Sequence, residues 1–230
     1  MKYNAKDEWS KLYGPGSNIS YPAEGVIRIL KGTFPDLHML KPTSGSILDL
    51  GCGDGRHFPL FEQSNLDGYG VEISEEICSN VSSNLSNRNI PFKQIISGTT
   101  DNLPFDNNFF DYLLTWNSCY YMTAARELDF SNHISEMARV LKKDGWLIAS
   151  LPKKTSFIFK DSLPSETSGF QVIANDPYNV RNGEILKCFN SKEELEGEFD
   201  KEFHSFSHAD IDMSWFGLDY HWHVFVAQKK

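Results

Sequence analysis

The stretch Ser46–His57, SILDLGCGDGRH, constrains this chain more than any other. An apolar run, Ile47, Leu48 and Leu50, leads directly into Gly51-Cys52-Gly53-Asp54-Gly55. Such a run followed by glycines reads as a buried strand turning into a helix. The glycines let the backbone turn sharply and lie close to a ligand, and the spacing predicts a helix from about Gly55 whose first amides face that ligand. The pattern is G-x-G-x-G, with Arg56 standing where the dinucleotide fingerprint requires its third glycine. A second run, Gly68–Glu72, ends in an acid 21 positions after Gly51. In doubly wound folds an acid about 20 residues on, at the end of the second strand, accepts hydrogen bonds from ribose hydroxyls. The two features together predict a nucleoside ligand at the carboxyl edge of the first two strands.

The segments ILDLGCGDG, GVEIS, DNLPFDNNFFD and ARVLKKDGWLIASLP follow one another at ordinary spacing. In that order they resemble the class I S-adenosylmethionine-dependent methyltransferases of the broad small-molecule type, methyltransferase type 11 among them. The resemblance covers roughly Ser46 to Pro152 well and the flanks loosely. It implies an α/β fold: a Rossmann-like, doubly wound, seven-stranded sheet with an antiparallel last strand, an N-terminal helical cap and an insertion after the fifth strand. The whole chain, 1–230, then forms a single domain. Residues 1–45 make the cap, 46–152 the cofactor-binding core, 153–190 an insertion or lid, and 191–230 a C-terminal helix and edge strands.

Composition narrows the partners. The 230 residues fit one domain with a sizeable core. Twenty-two basic and 31 acidic residues leave a net charge of −9, which argues against general nucleic-acid binding. No apolar stretch approaches the roughly 18 residues of a membrane span. The opening MKYNAKDEWSK, with Tyr3 and Trp9 among charges, lacks the apolar centre of a signal peptide. The four cysteines form no C-x-x-C pair and no zinc-ligand spacing. A reduced, cytoplasmic protein without metal is expected, its oligomeric state open.

The resemblance also assigns residues. Cofactor-binding candidates are Tyr21, Asp49, Gly51, Gly53, His57, Glu72, Ile73, Thr99, Thr100, Asp101 and Asn117. Tyr13 and Tyr21 would cap the methionine end, unless they only pack their helix onto the domain. Asp49 would fix the loop or reach the ligand ammonium, and His57 would face its carboxylate or lie on the helix surface. Asp54 would cap the helix after the glycines. The similar families place an Asp where Thr99 stands, to take the adenine amino group; here Thr99 or Asp101 is left to accept it, with the Thr100 amide serving a ring nitrogen. Asn117 follows the fourth strand, where ligands bind in open α/β sheets. Tyr120 or Tyr121 would form the acceptor wall.

The implied reaction moves a methyl group from S-adenosylmethionine to O, N or S of a small-molecule acceptor, in line, with S-adenosylhomocysteine as product. It rests mainly on positioning, with a base needed only if the acceptor must lose a proton early. His208, His221 and Tyr120 are the catalytic candidates. His208 and Asp210 share a face of a presumed strand, as do His221 and His223. His133 is expected on a helix surface. The alternatives are a nicotinamide-type Rossmann oxidoreductase and a non-catalytic cofactor-binding subunit.

Overall fold

The structure is a computed structural model that describes residues 4–230; Tyr3 lies outside the described residues. Two helices, α1 (Ala5–Tyr13) and α2 (Glu24–Lys31), precede β1 (Gly45–Leu50). Then come α3 (Phe58–Glu62), β2 (Leu66–Glu72), α4 (Glu75–Asn87), β3 (Gln94–Ser97) and β4 (Phe110–Trp116). After these, α5 (Phe130–Val140) leads into β5 (Leu141–Pro152). Three short strands follow, β6 (Leu163–Pro164), β7 (Phe170–Val172) and β8 (Ile185–Lys187), before α6 (Lys192–Phe199), β9 (Phe203–Trp215) and β10 (Leu218–Lys229).

Seven strands form one sheet in the order β3-β2-β1-β4-β5-β10-β9. The first five are parallel, and β10 runs antiparallel between β5 and β9. This is the doubly wound sheet with a reversed last strand. Its order turns back at β1 and β4, which opens a crevice at their carboxyl ends. Both faces of the middle strands are covered, so Ile47, Leu48, Leu113 and Leu114 are all fully buried. On one face α2 inserts Val26, Ile29 and Leu30 beside Phe58 and Val81; on the other α5 inserts Ile134 and Met137 beside Phe199 and Phe225. The i, i+3, i+4 spacing in α2 makes one apolar stripe, and burial of each such side chain contributes about 1.5–3 kcal/mol.

Local structure departs from the sequence reading in four places. The helix after the glycines starts at Phe58, not Gly55, because Gly51, Gly53 and Gly55 all take positive φ (74°, 58° and 80°) and keep the chain in a loop. The apolar spacing of Ala125–Leu141 reads as one helix, but the helix starts at Phe130: Asp129 caps it at Ser131 N (2.9 Å), while the Arg126 backbone is drawn away to Asp101 Oδ2 (3.0 Å). Residues 153–190 include a small three-stranded sheet, β6-β7-β8, whose strands are too short to show an alternating pattern. His133 is buried rather than on the surface, since its helix face packs against the loop after β4.

Candidate active site

Residues 51–55 form the floor of the crevice. The Gly51 and Cys52 amides donate to the Val71 carbonyl (2.9 and 3.2 Å), and the Gly53 amide donates to Glu72 Oε1 at 2.7 Å. The amides of Gly51, Cys52 and Gly53 are therefore spent on β2. A Cβ on Gly51 would run into Ser118, whose hydroxyl donates to the Leu50 carbonyl and ties β4 to β1. Glu72 Oε2 takes the Ile73 amide at 3.0 Å. Burial pushes the Glu72 carboxyl up to about 6 despite these two amides.

The crevice, about 310 Å³, is lined by Gly51, Gly53, His57, Glu72, Ile73, Thr99, Thr100, Asp101 and Asn117, all singled out from sequence. Two others of that set lie elsewhere. Tyr21 is 91% exposed and lines neither crevice nor cavity, because the chain turns outward before α2. Asp49 is 1% exposed beneath the loop and accepts from His57 Nδ1 at 2.9 Å, so it orients that ring rather than lining the crevice. His57 is buried, not a surface residue, and its Nε2 has no partner among the described residues. Asp54 does not cap α3; its carboxylate accepts the Ser20 amide (2.8 Å) and the Arg56 amide (3.2 Å), pinning the N-terminal segment to the loop. Thr99 donates to Asp101 Oδ1 at 2.6 Å, and Arg126 Nε lies 3.2 Å from Asp101 Oδ2. Burial works against ionisation of Asp101, but the Thr99 and Arg126 hydrogen bonds prevail and hold its pKa below the usual value.

Tyr13, expected over the ligand, is joined at this crevice by Trp9 and Arg181, which the sequence reading did not single out. Trp9 and Tyr13, one helical turn apart on α1, stack 6.0 Å apart and both line it. Arg181, from the insertion, lies over the Trp9 ring at 5.6 Å. Its Nε donates to the Tyr121 hydroxyl (2.9 Å) and its Nη1 meets Asp176 Oδ1 at 3.1 Å. Trp9 Nε1 donates to Glu184 at 3.1 Å. The N-terminal helix and the insertion thus meet beside the glycine loop.

A second cavity, about 1200 Å³, adjoins the crevice; Arg56, Trp116, Asn117 and Arg181 line both. Its walls are mostly apolar, including Ile29, Phe157, Ile211, Trp222 and Val224. The charges on its wall are largely paired: Glu24 with Arg28, His208 with Glu196, and Asp210 and Asp212 with Lys153. Asn117 sits at positive φ (60°), with Ser150 Oγ donating to its Oδ1 (2.8 Å) and accepting from its amide (2.9 Å). Of the catalytic candidates, His208 and Tyr120 line the cavity. Burial raises the Tyr120 hydroxyl well above its ordinary pKa. His221 bonds to Thr155 Oγ1 at 2.9 Å and lines neither space.

The crevice lies at the turning point of a doubly wound sheet and opens into a larger, mostly apolar cavity, and the fold is that of solved structures described as SAM-dependent methyltransferases. Residues 48–149, a little under half of the chain, match the family model described as "Methyltransferase domain". The curated "Uncharacterized methyltransferase YcgJ" of Bacillus subtilis (strain 168) is 30% identical over 99 residues, which is 43% of this chain and 37% of that protein. The chain thus matches little more than a third of that relative's length. Among solved structures, the PH0226 protein of Pyrococcus horikoshii OT3 superposes with a TM-score of 0.67 at 21% identity, covering 97% of this chain and 99% of that one. A protein of Methanosarcina mazei described as a SAM-dependent methyltransferase gives 0.65 at 20% identity, covering 86% and 98%.

Proposed function

We propose that this chain is an S-adenosylmethionine-dependent methyltransferase acting on a small-molecule acceptor. The observation that carries the reading is the Glu72 carboxylate held by the Gly53 and Ile73 amides, at the wall of a crevice that opens into a separate cavity. The fixed carboxylate suits a pair of ribose hydroxyls, and the unpartnered buried Nε2 of His57 suits a polar group of the same ligand. When bound, S-adenosylmethionine supplies an electrophilic methyl on a sulfonium, open to in-line attack.

The rest falls to the chain's own residues. Glu72, Ile73 and the segment Thr99–Asp101 hold the nucleoside. Gly51, Gly53, His57 and Asn117 surround the amino-acid end. Trp116 and Asn117 stand between the two compartments and set the approach of the acceptor, so positioning supplies most of the rate. Asp49 orients His57 from below. The acceptor occupies the larger cavity, and its apolar walls with mostly paired charges suit an acceptor with a largely apolar body. His208 is the one of the three catalytic candidates placed to move a proton there; Tyr120 stays protonated and serves as wall. Residues 153–190 act as a lid through Arg181. No helix among the described residues is long and apolar enough to cross a membrane, and a cytoplasmic location accords with four free, buried cysteines.

Calorimetric titration with S-adenosylmethionine and S-adenosylhomocysteine tests the reading, together with S-adenosylhomocysteine release across an acceptor library. Micromolar binding and turnover with an apolar acceptor are expected. Absence of binding overturns the proposal, and binding without turnover by any acceptor favours a cofactor-binding subunit.

A further inference from the structure

The crevice wall contains a buried nitrogen that no residue satisfies. His133, on α5, is 1% exposed and lines the crevice beside Asp101 and Ala125. Its Nδ1 lies 2.9 Å from the Cys119 carbonyl, which can only accept, so Nδ1 carries a proton. Its Nε2 has no partner among the described residues. Burial lowers the pKa of this ring against the pull of Cys119 and Asp101, which keeps it neutral. A neutral ring protonated at Nδ1 presents a bare acceptor at Nε2, and a buried acceptor left unpaired is unfavourable.

The two groups that the sequence offered for an adenine amine are tied to each other and to Arg126. Thr99 spends its hydroxyl hydrogen on Asp101 Oδ1, and Asp101 Oδ2 takes the Arg126 amide at 3.0 Å with Arg126 Nε at 3.2 Å. Both follow the end of β3, the neighbour of β2 whose Glu72 is proposed to grip the ribose. His133 lines the same crevice, near enough to Asp101 for that charge to act on its ring. Its free Nε2 matches a hydrogen-bond donor and opposes a carbonyl oxygen.

We infer that His133 reads the purine: its Nε2 accepts a hydrogen from the exocyclic amino group of the adenine and discriminates against a 6-oxo base. This rests on the cofactor reading above and adds a base-recognition role on α5 beside the loop after β3. His133 is a positioning and specificity residue here; it takes no part in methyl transfer.

Calorimetry with S-adenosylhomocysteine and S-inosylhomocysteine, which differ in the 6-amino and 6-oxo groups, tests it. The wild-type protein is expected to prefer the adenine compound by about tenfold or more, the worth of one buried hydrogen bond. In His133→Leu the preference narrows to within about threefold, through weaker binding of S-adenosylhomocysteine. In His133→Gln, whose amide oxygen reaches the place of Nε2, the preference returns. A purely structural histidine would weaken both ligands alike and leave the ratio unchanged in His133→Leu, which would overturn the inference. Equal binding of the two compounds by the wild type overturns it without any variant, so poor folding of a substitution leaves the test decisive. Failure of the wild type to bind either compound overturns the cofactor reading itself.

Discussion

Glu72 joins a stability effect and a binding effect in one carboxyl group. Burial raises its folded pKa from 4.5 to about 6. The folded protein therefore holds this proton more tightly than the unfolded chain. The group's contribution to stability is fully present below about pH 4.5 and is lost as pH rises through about 6. Ligand binding runs the other way, because the ionised form is the better acceptor for ribose hydroxyls. Titration calorimetry from pH 8 to pH 5 should therefore show S-adenosylhomocysteine affinity falling as pH drops through about 6. Glu72→Ala should weaken the same ligand at pH 7.5 by at least about tenfold, the loss of charged hydrogen bonds; unchanged affinity would remove Glu72 from the site. The acid was legible in the sequence because its distance from Gly51 follows from strand geometry. The Asp49–His57 pair was not, since it forms only through the backward turn of a loop with three positive-φ residues. His133 was misread for a related reason: polarity on a helix suggests solvent, and only the neighbouring Cys119 carbonyl shows the buried partner.

At the scale of elements, α2 contains a glycine that helix propensity disfavours by about 1 kcal/mol relative to alanine. A Cβ on Gly25 would lie 2.6 Å from Cζ2 of Trp116, the ring shared by crevice and cavity. Gly25→Ala should thus lower stability by roughly 1–3 kcal/mol through overpacking, despite the better helix former. It should also slow turnover by displacing the indole. Urea unfolding and acceptor kinetics check both, and a stabilised, fully active variant would show that the close approach of α2 is incidental. The strands were the most legible elements, because β1, β2, β4 and β5 are buried runs bounded by glycine, asparagine or proline. Helix starts were less so. Asp101 draws Arg126 out of the helical path, an interaction across the fold that no local pattern records. The strands of the insertion hold two or three residues each, too few for any period to show.

For the molecule as a whole, the N-terminal helix and the insertion close over one side of the sheet while the core supplies the other. Trp9, Tyr121 and Arg181 make that junction. Arg181→Ala removes the cation from the Trp9 face and leaves Asp176, which is fully buried, without its guanidinium. Stopped-flow displacement of S-adenosylhomocysteine should then show dissociation several-fold faster, with hydrogen exchange in α1 accelerated in step. An unchanged dissociation rate would mean that the junction does not retain the nucleoside. The larger cavity is lined by Arg181 and by Leu12 of α1 as well, so the same junction borders both spaces. Under the proposed function, methylated product and spent donor both wait for the seam between the N-terminal helix and the insertion to part. Rapid mixing with a good acceptor should therefore give a burst of product equal to one enzyme equivalent, followed by a slower steady phase whose pace depends on solvent viscosity.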